Sequence, residues 1–363
     1  MPDGTRVGLW TLTPARTIYS DVIVSFHSPT IKLSALDQSP IRSGGHAKDA
    51  LQESIDLAQI CEQAGYHRYW LAEHHGTPAL AGPAPEIMIT RIAAATDHMR
   101  IGSGGIMLGH YSPLKVAETF NLLESLYPGR IDLGIGRAPG SDQLTSAALA
   151  YGSEIGVEYF PTRVADLMAF MGGGEPPTKI FKRIKVVPTP DHPPQMWMLG
   201  SSDQSAFMAA QFGLAFSFAH FIATQGGDTV LRAYRQQFQP SEFCATPEAS
   251  LCVFIVCAET EEKARKLALC RDLVLLRREK GQHGPFPSIK EAHAHTYSGS
   301  DLQVIDRNRP KSLYGTPDQC REILTKMAAD YDVSELVILS ICHDASDRQT
   351  SYRLLADALK SLN

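Results

Sequence analysis

One recurring order constrains this chain more than any other feature: a short apolar run ends in polar or glycine residues, an amphipathic stretch follows, and another apolar run begins. Ile31 to Leu36 is a strand candidate closed by Asp37, Ser39 and Pro40. Ala47 to Ala64 then places Leu51, Ile55, Ala58 and Cys61 at helical spacing, with Gly65 suited to its C-terminal cap. Tyr66 to Ala72 predicts a second strand, ending in Glu73, His74 and His75. The pattern continues through a helix at Pro85 to Thr96, a strand at Met99 to Gly105, a helix at Pro113 to Leu126 and a strand from Ile131 to about Gly136. Helices over Pro161 to Met171, Gln204 to Phe212, Gly227 to Phe238, Thr260 to Glu279, Pro317 to Ala329 and Arg348 to Leu362 alternate with strands at Gln195 to Leu199, Leu214 to Ala219, Ser250 to Cys257 and Leu336 to Ile341. Residues Gly281 to Pro310, rich in Gly, Pro, His and Ser, read as an irregular excursion. Eight strands alternating with helices predict an α/β fold, a (β/α)8 TIM barrel with an insertion before the last strand. A doubly wound sheet gives the same local alternation, so it stays open as the alternative.

With 363 residues, 44% apolar and 20% charged, the composition is that of a globular chain able to bury a large core. A net charge of -5 offers no electrostatic case for nucleic acid or an anionic membrane. Seven cysteines, odd in number and without a CxxC pair, favour reduced thiols. Met1 to Thr30 lacks the layout of a secretory signal, and no stretch has the apolar length to span a bilayer. A cytoplasmic protein is therefore expected. It would have an N-terminal extension over residues 1–30, including a short strand at Val22 to Phe26, and a single barrel domain over 31–363.

In parallel α/β folds ligands sit at the carboxyl ends of strands, so the residues just after each strand matter most. The stretch Gly129 to Asp142 (GRIDLGIGRAPGSD) delivers Arg137 to such an end. Its glycines suggest a dinucleotide fingerprint, but the spacing is off by one residue and Ser141-Asp142-Gln143 is not expected to open a helix. Gly200-Ser201-Ser202-Asp203 runs from a strand into a helix, which suits either a phosphate or a plain serine cap. Gly104-Gly105 would let backbone approach a flat ligand. Glu73-His74-His75 and His293-Ala294-His295 raise metal binding, yet neither has the placement a metallohydrolase barrel needs. A histidine titrating near pH 6.5, able to donate or accept a proton, or one that packs structurally, suits that position better.

Taken together, IKLSALDQSP (31–40), YWLAEHH (69–75), IGSGGIMLGHYSP (101–113), GRIDLGIGRAPGSD (129–142) and WMLGSS (197–202) resemble the bacterial luciferase-like flavin-dependent monooxygenases. The likeness is nearest to their single-component subgroup, the luciferase-like class oxidoreductases. It runs from Ile31 to Leu362. It implies a barrel that binds reduced FMN at its carboxyl end as a homodimer, with a separate NAD(P)H:flavin reductase supplying the flavin. It also implies oxygenation of a small organic substrate by a C4a-(hydro)peroxyflavin formed from O2. By the same resemblance the cofactor-binding residues are Ser103, Gly104, Gly105, Arg137, Ala138, Pro139, Gly200, Ser201, Ser202 and Ser205. Arg137 and the serines would hold the phosphate, a non-prolyl cis peptide would join Gly104 to Gly105, and His74, with His75 beside it, would be catalytic. No metal is implied.

Two departures from the family pattern stand out. Leu108-Gly109 replaces leucine-proline before HYSP, which predicts a more mobile loop, and Gly136 stands where some luciferases carry a reactive cysteine. Light emission is therefore not expected. Two rival functions share the resemblance: hydride transfer by the deazaflavin F420, and flavin binding without turnover.

Overall fold

The structure, a computed structural model, describes residues 31–151 and 157–360. The N-terminal extension and its candidate strand at Val22 to Phe26 lie outside the described residues, as do the last two residues, 361 and 362, of the expected closing helix.

Nine strands, all paired in parallel, and twelve α-helices are found among the described residues. Their order is β1 (Lys32–Asp37), α1 (Ala47–Ala64), β2 (Arg68–Leu71), α2 (Pro85–Ala93), β3 (Arg100–Met107), α3 (Pro113–Leu126), β4 (Ile131–Gly136), α4 (Gln143–Ala150), α5 (Phe160–Phe170), β5 (Gln195–Gly200), α6 (Asp203–Phe212), β6 (Ala215–Ala219) and α7 (Gly227–Gln237). There follow β7 (Ala249–Cys257), α8 (Glu261–Glu279), α9 (Ile289–Ala294), α10 (Gly299–Asn308), β8 (Leu313–Gly315), α11 (Pro317–Asp330), β9 (Glu335–Leu339) and α12 (Ala345–Lys360). β1 to β7 pair in sequence, β7 pairs with β9, and β9 pairs with β1, which closes an eight-stranded barrel. The fold is a (β/α)8 TIM barrel. The doubly wound alternative fails on the β9–β1 pairing, which an open sheet lacks. β8 is an extra strand, added to the end of β7 at Ile255–Cys257.

Local chemistry explains most boundaries. Gly65 ends α1 with φ 85°, a left-handed conformation that glycine adopts without steric cost. Ile131, Leu133 and Ile135 on β4 are fully buried, and so are Asp132 and Gly134 between them, as expected of a parallel strand covered on both faces. All seven cysteines are free thiols.

Three expectations need correction. Asp142 does open a helix: its carboxylate accepts from the Thr145 backbone N–H at 2.9 Å and caps α4. That helix starts seven residues after β4 ends, too late to form a dinucleotide turn. The Gly281 to Pro310 excursion is also not irregular throughout. Ser288 with Glu291, and Ser298 with Asp301, form capping boxes that start α9 and α10. Finally, the loop at Leu108-Gly109 is pinned, because Arg163 donates to the carbonyls of Leu108, Gly109 and Tyr111 at 3.1, 2.5 and 3.2 Å.

Candidate active site

The parallel pairing puts the carboxyl ends of all barrel strands on one rim, and there a cavity of about 280 Å³ opens. His74 after β2, Gly104 and Gly105 in β3, Arg137 and Ala138 after β4, and Gly200, Ser201, Ser202 and Ser205 around the β5–α6 turn all line it. At its floor Trp70 meets Trp197 edge to face, with ring centroids 5.2 Å apart. The peptide between Gly104 and Gly105 is cis. A Cβ on Gly104 would stand 2.6 Å from Leu36 Cδ1, and one on Gly105 would stand 2.8 Å from the Gly134 carbonyl oxygen. No side chain fits at either position, so bare backbone borders the cavity.

Cationic and hydroxyl groups gather at one end. Arg137 donates through Nη1 to Gln204 Oε1 on the first turn of α6. Ser202 is the N-cap of that helix: its hydroxyl accepts from the Ser205 N–H at 3.4 Å, and Ser205 Oγ donates to the Ser202 carbonyl at 2.8 Å. A guanidinium, short hydroxyls and the positive end of a helix are groups whose chemistry suits an anion.

His74 faces the same cavity with a buried Nδ1 that has no partner. Burial lowers its pKa to about 4, helped by the nearby charges of Arg278 and His75. The imidazole is therefore neutral near pH 7, not partly protonated as the ordinary value of about 6.5 would allow.

The sequence profile of the luciferase-like monooxygenases matches residues 31–331. The chain belongs to this family. It is 43% identical over 327 residues to the uncharacterised Bacillus subtilis protein YceB, spanning 90% of this chain and 99% of that one. It is 37% identical over 336 residues to the N-acetyl-S-alkylcysteine monooxygenase of the same organism, spanning 91% and 98%. The crystal structure of apo-MsnO8 shares the fold with a TM-score of 0.82 at 37% identity, covering 91% of this chain and 98% of that one.

Not every residue singled out in the sequence reaches the cavity of this luciferase-like monooxygenase. Ser103 is fully buried between strands, where its hydroxyl donates to the Gly134 carbonyl at 2.8 Å. Pro139 is exposed, and its carbonyl lies 2.7 Å from His110 Nε2. His75 turns aside to bond Glu73 Oε1 at 2.7 Å. That carboxylate also accepts from Tyr111 OH at 2.7 Å and from the Met107 N–H at 2.9 Å, so Glu73 ties the end of β2 to the loop after β3. Sequence reasoning missed Gln204, Leu199, Phe221 and Cys252. Gln204 sits within the Ser-Ser-Asp-Gln start of α6 and was within reach of an N-cap argument; the others carry no local signal. His293 and His295 belong to α9 and its C-terminal cap, away from the cavity lining. Among the described residues no cluster of three or more His, Cys, Asp and Glu side chains is placed to hold a metal, and no helix is long and apolar enough to cross a membrane.

Proposed function

We propose that this chain is the oxygenating component of a flavin-dependent monooxygenase that uses reduced FMN and O2 to oxygenate a small organic substrate. The observation that carries this reading is one cavity holding an anion site at Arg137, Ser201 and Ser202, bare backbone at Gly104-Gly105, and the unpartnered Nδ1 of His74. These residues fit FMN. Arg137, the two serines and the first-turn amides of α6 would hold the phosphate, Gly200 and Ser205 would shape that turn, and Gly104, Gly105 and Ala138 would border the ring. When bound, reduced FMN supplies the two electrons with which one atom of O2 enters the substrate and the other leaves as water.

The protein's own contribution is positional and protonic. His74, neutral at pH 7, offers a buried nitrogen to hold or pass one proton at the ligand, an effect typically worth about 10² to 10⁴ in rate. Leu199 and Phe221 give the cavity apolar walls that limit water at the ligand. A separate NAD(P)H:flavin reductase and a homodimer are part of the reading, carried over from the family resemblance.

Titration of the purified chain with oxidised FMN, reduced FMN and deazaflavin F420 tests this. FMN should bind in preference. Arg137→Ala should weaken FMN about ten- to a hundredfold, the loss of a charge-assisted phosphate contact of about 1.5 to 3 kcal/mol. Unchanged affinity removes the anchor of the reading, and a preference for the deazaflavin moves it to hydride transfer.

A further inference from the structure

α8 carries two arginines, seven residues apart, that make no salt bridge among the described residues, although the charge of the adjacent Asp272 bears on Arg271. Arg271 is 3% exposed, and its Nε is buried without a hydrogen-bond partner. Its guanidinium lies 4.4 Å over the centroid of the Phe254 ring. The adjacent carboxylate, Asp272, is already held by Arg309 at 2.9 and 3.2 Å. Arg278 is exposed and lines a small cleft of about 40 Å³ with Thr77, Ala79 and Pro285. Among the described residues neither arginine forms an ion pair. Burial pulls the Arg271 pKa down to about 9, yet that still leaves it charged at pH 7.

The Phe254 ring beneath Arg271 adjoins residues that line the cavity. Phe254 stands two residues beyond Cys252 on β7, so both point to one face, and Cys252 lines the cavity. Phe221, another lining residue, packs in the same apolar cluster as Phe254. On the other side the charge of Arg278 is felt by His74. Asp272, the neighbouring carboxylate, is committed to Arg309, so a guanidinium buried here without a hydrogen-bonded anion is costly, and an arriving oxyanion would relieve it.

We propose that Arg271, buried over Phe254 with an open Nε, and Arg278 at the outer cleft form the receptor for a carboxylate or sulfonate on the substrate, whose apolar part lies along Phe254 and Phe221. Arg278 meets the anion at the surface and Arg271 holds it inside. The role of this anion as a substrate group rests on the flavin reading; the anion site itself does not.

Thermal unfolding of the full chain in benzoate, benzenesulfonate or the neutral isostere benzamide, at matched ionic strength in sodium chloride, tests the proposal. At least one acid should raise the midpoint by about 2 °C or more, with benzamide inert, and the two acids distinguish carboxylate from sulfonate. Arg271→Met should abolish the shift, Arg278→Gln should reduce it, and Arg271→Lys, which retains a charge should the methionine variant not fold, should keep part of it. No shift with either acid, an equal shift with benzamide, or a shift that survives Arg271→Met overturns the proposal. FMN titration of the same preparations separates the two readings: acid binding without FMN binding sinks only the flavin reading, and FMN binding without acid binding sinks only the receptor.

Discussion

Two glycines of β4 look alike in sequence and differ in what surrounds them. A Cβ on Gly134 would lie 2.1 Å from the Ser103 carbonyl oxygen, which is backbone of the neighbouring strand and cannot swing away. Gly134→Ala should therefore lower stability by about 1 to 3 kcal/mol in urea unfolding. At Gly136 the nearest atom is Met107 Sδ at 3.7 Å, an ordinary contact, so Gly136→Ala should stay within about 0.5 kcal/mol of the parent. His74 supplies a pH signature. Its folded pKa of about 4 lies below the ordinary value, so the folded chain binds fewer protons than the unfolded one between the two values. Its contribution is complete above about pH 6.5 and is lost as pH falls toward 4. His74→Gln should lose less stability than the parent between pH 7 and pH 4.5, measured by urea midpoints.

Among the elements, the loop after β3 depends most on one side chain. Glu73 accepts from Tyr111, Met107 and His75 at once, so Glu73→Ala leaves three half-buried donors without this partner. A loss of about 1 to 3 kcal/mol and faster hydrogen exchange at Met107 to Tyr111 are expected. Tyr111→Phe, which removes one bond to the carboxylate, should reproduce part of both effects. α4, α9 and α10 show why short helices escape a periodicity search. Each has ten residues or fewer, and their start signals, Asp142, Ser288-Glu291 and Ser298-Asp301, sit in stretches whose Gly, Pro and Ser content reads as loop.

Over the whole molecule the two rims of the barrel divide the labour. The amino-end rim is closed by an ionic hub: Arg68 on β2 pairs with Asp132 on β4 at 2.8 Å and with Glu335 on β9 at 2.6 Å, while Arg100 on β3 pairs with Asp132 at 2.6 Å. Burial raises the Asp132 pKa, but the Arg68 and Arg100 charges outweigh it and hold the carboxyl below its ordinary range. Its stabilising effect is therefore present above about pH 4 and fades as pH falls through the lowered value. Asp132→Asn should cost about 3 to 5 kcal/mol at pH 7, because Arg68 loses a buried partner, and should flatten the acid limb of the stability curve. Arg348 on α12 performs the matching closure near the other rim, donating to Asp37 of β1 at 2.7 Å and so joining the last helix to the first strand.

What the sequence determined by itself was the alternation, and with it the residues at or near the carboxyl ends of strands: His74, Gly104-Gly105, Arg137 and Ser201-Ser202 were legible because a strand–helix repeat puts every such residue toward one rim. Periodicity and caps are local, so α1 and α3 could be bounded to the residue and β4 closely. Only the tertiary structure decided that β9 pairs with β1, that Ser103 and His75 turn away from the cavity, that His74 is neutral, and that Arg271 lies buried without an ion pair. Each of these depends on what groups distant in sequence bring to one place. Burial and unanswered charge are properties of a neighbourhood, and a linear pattern does not contain its neighbours.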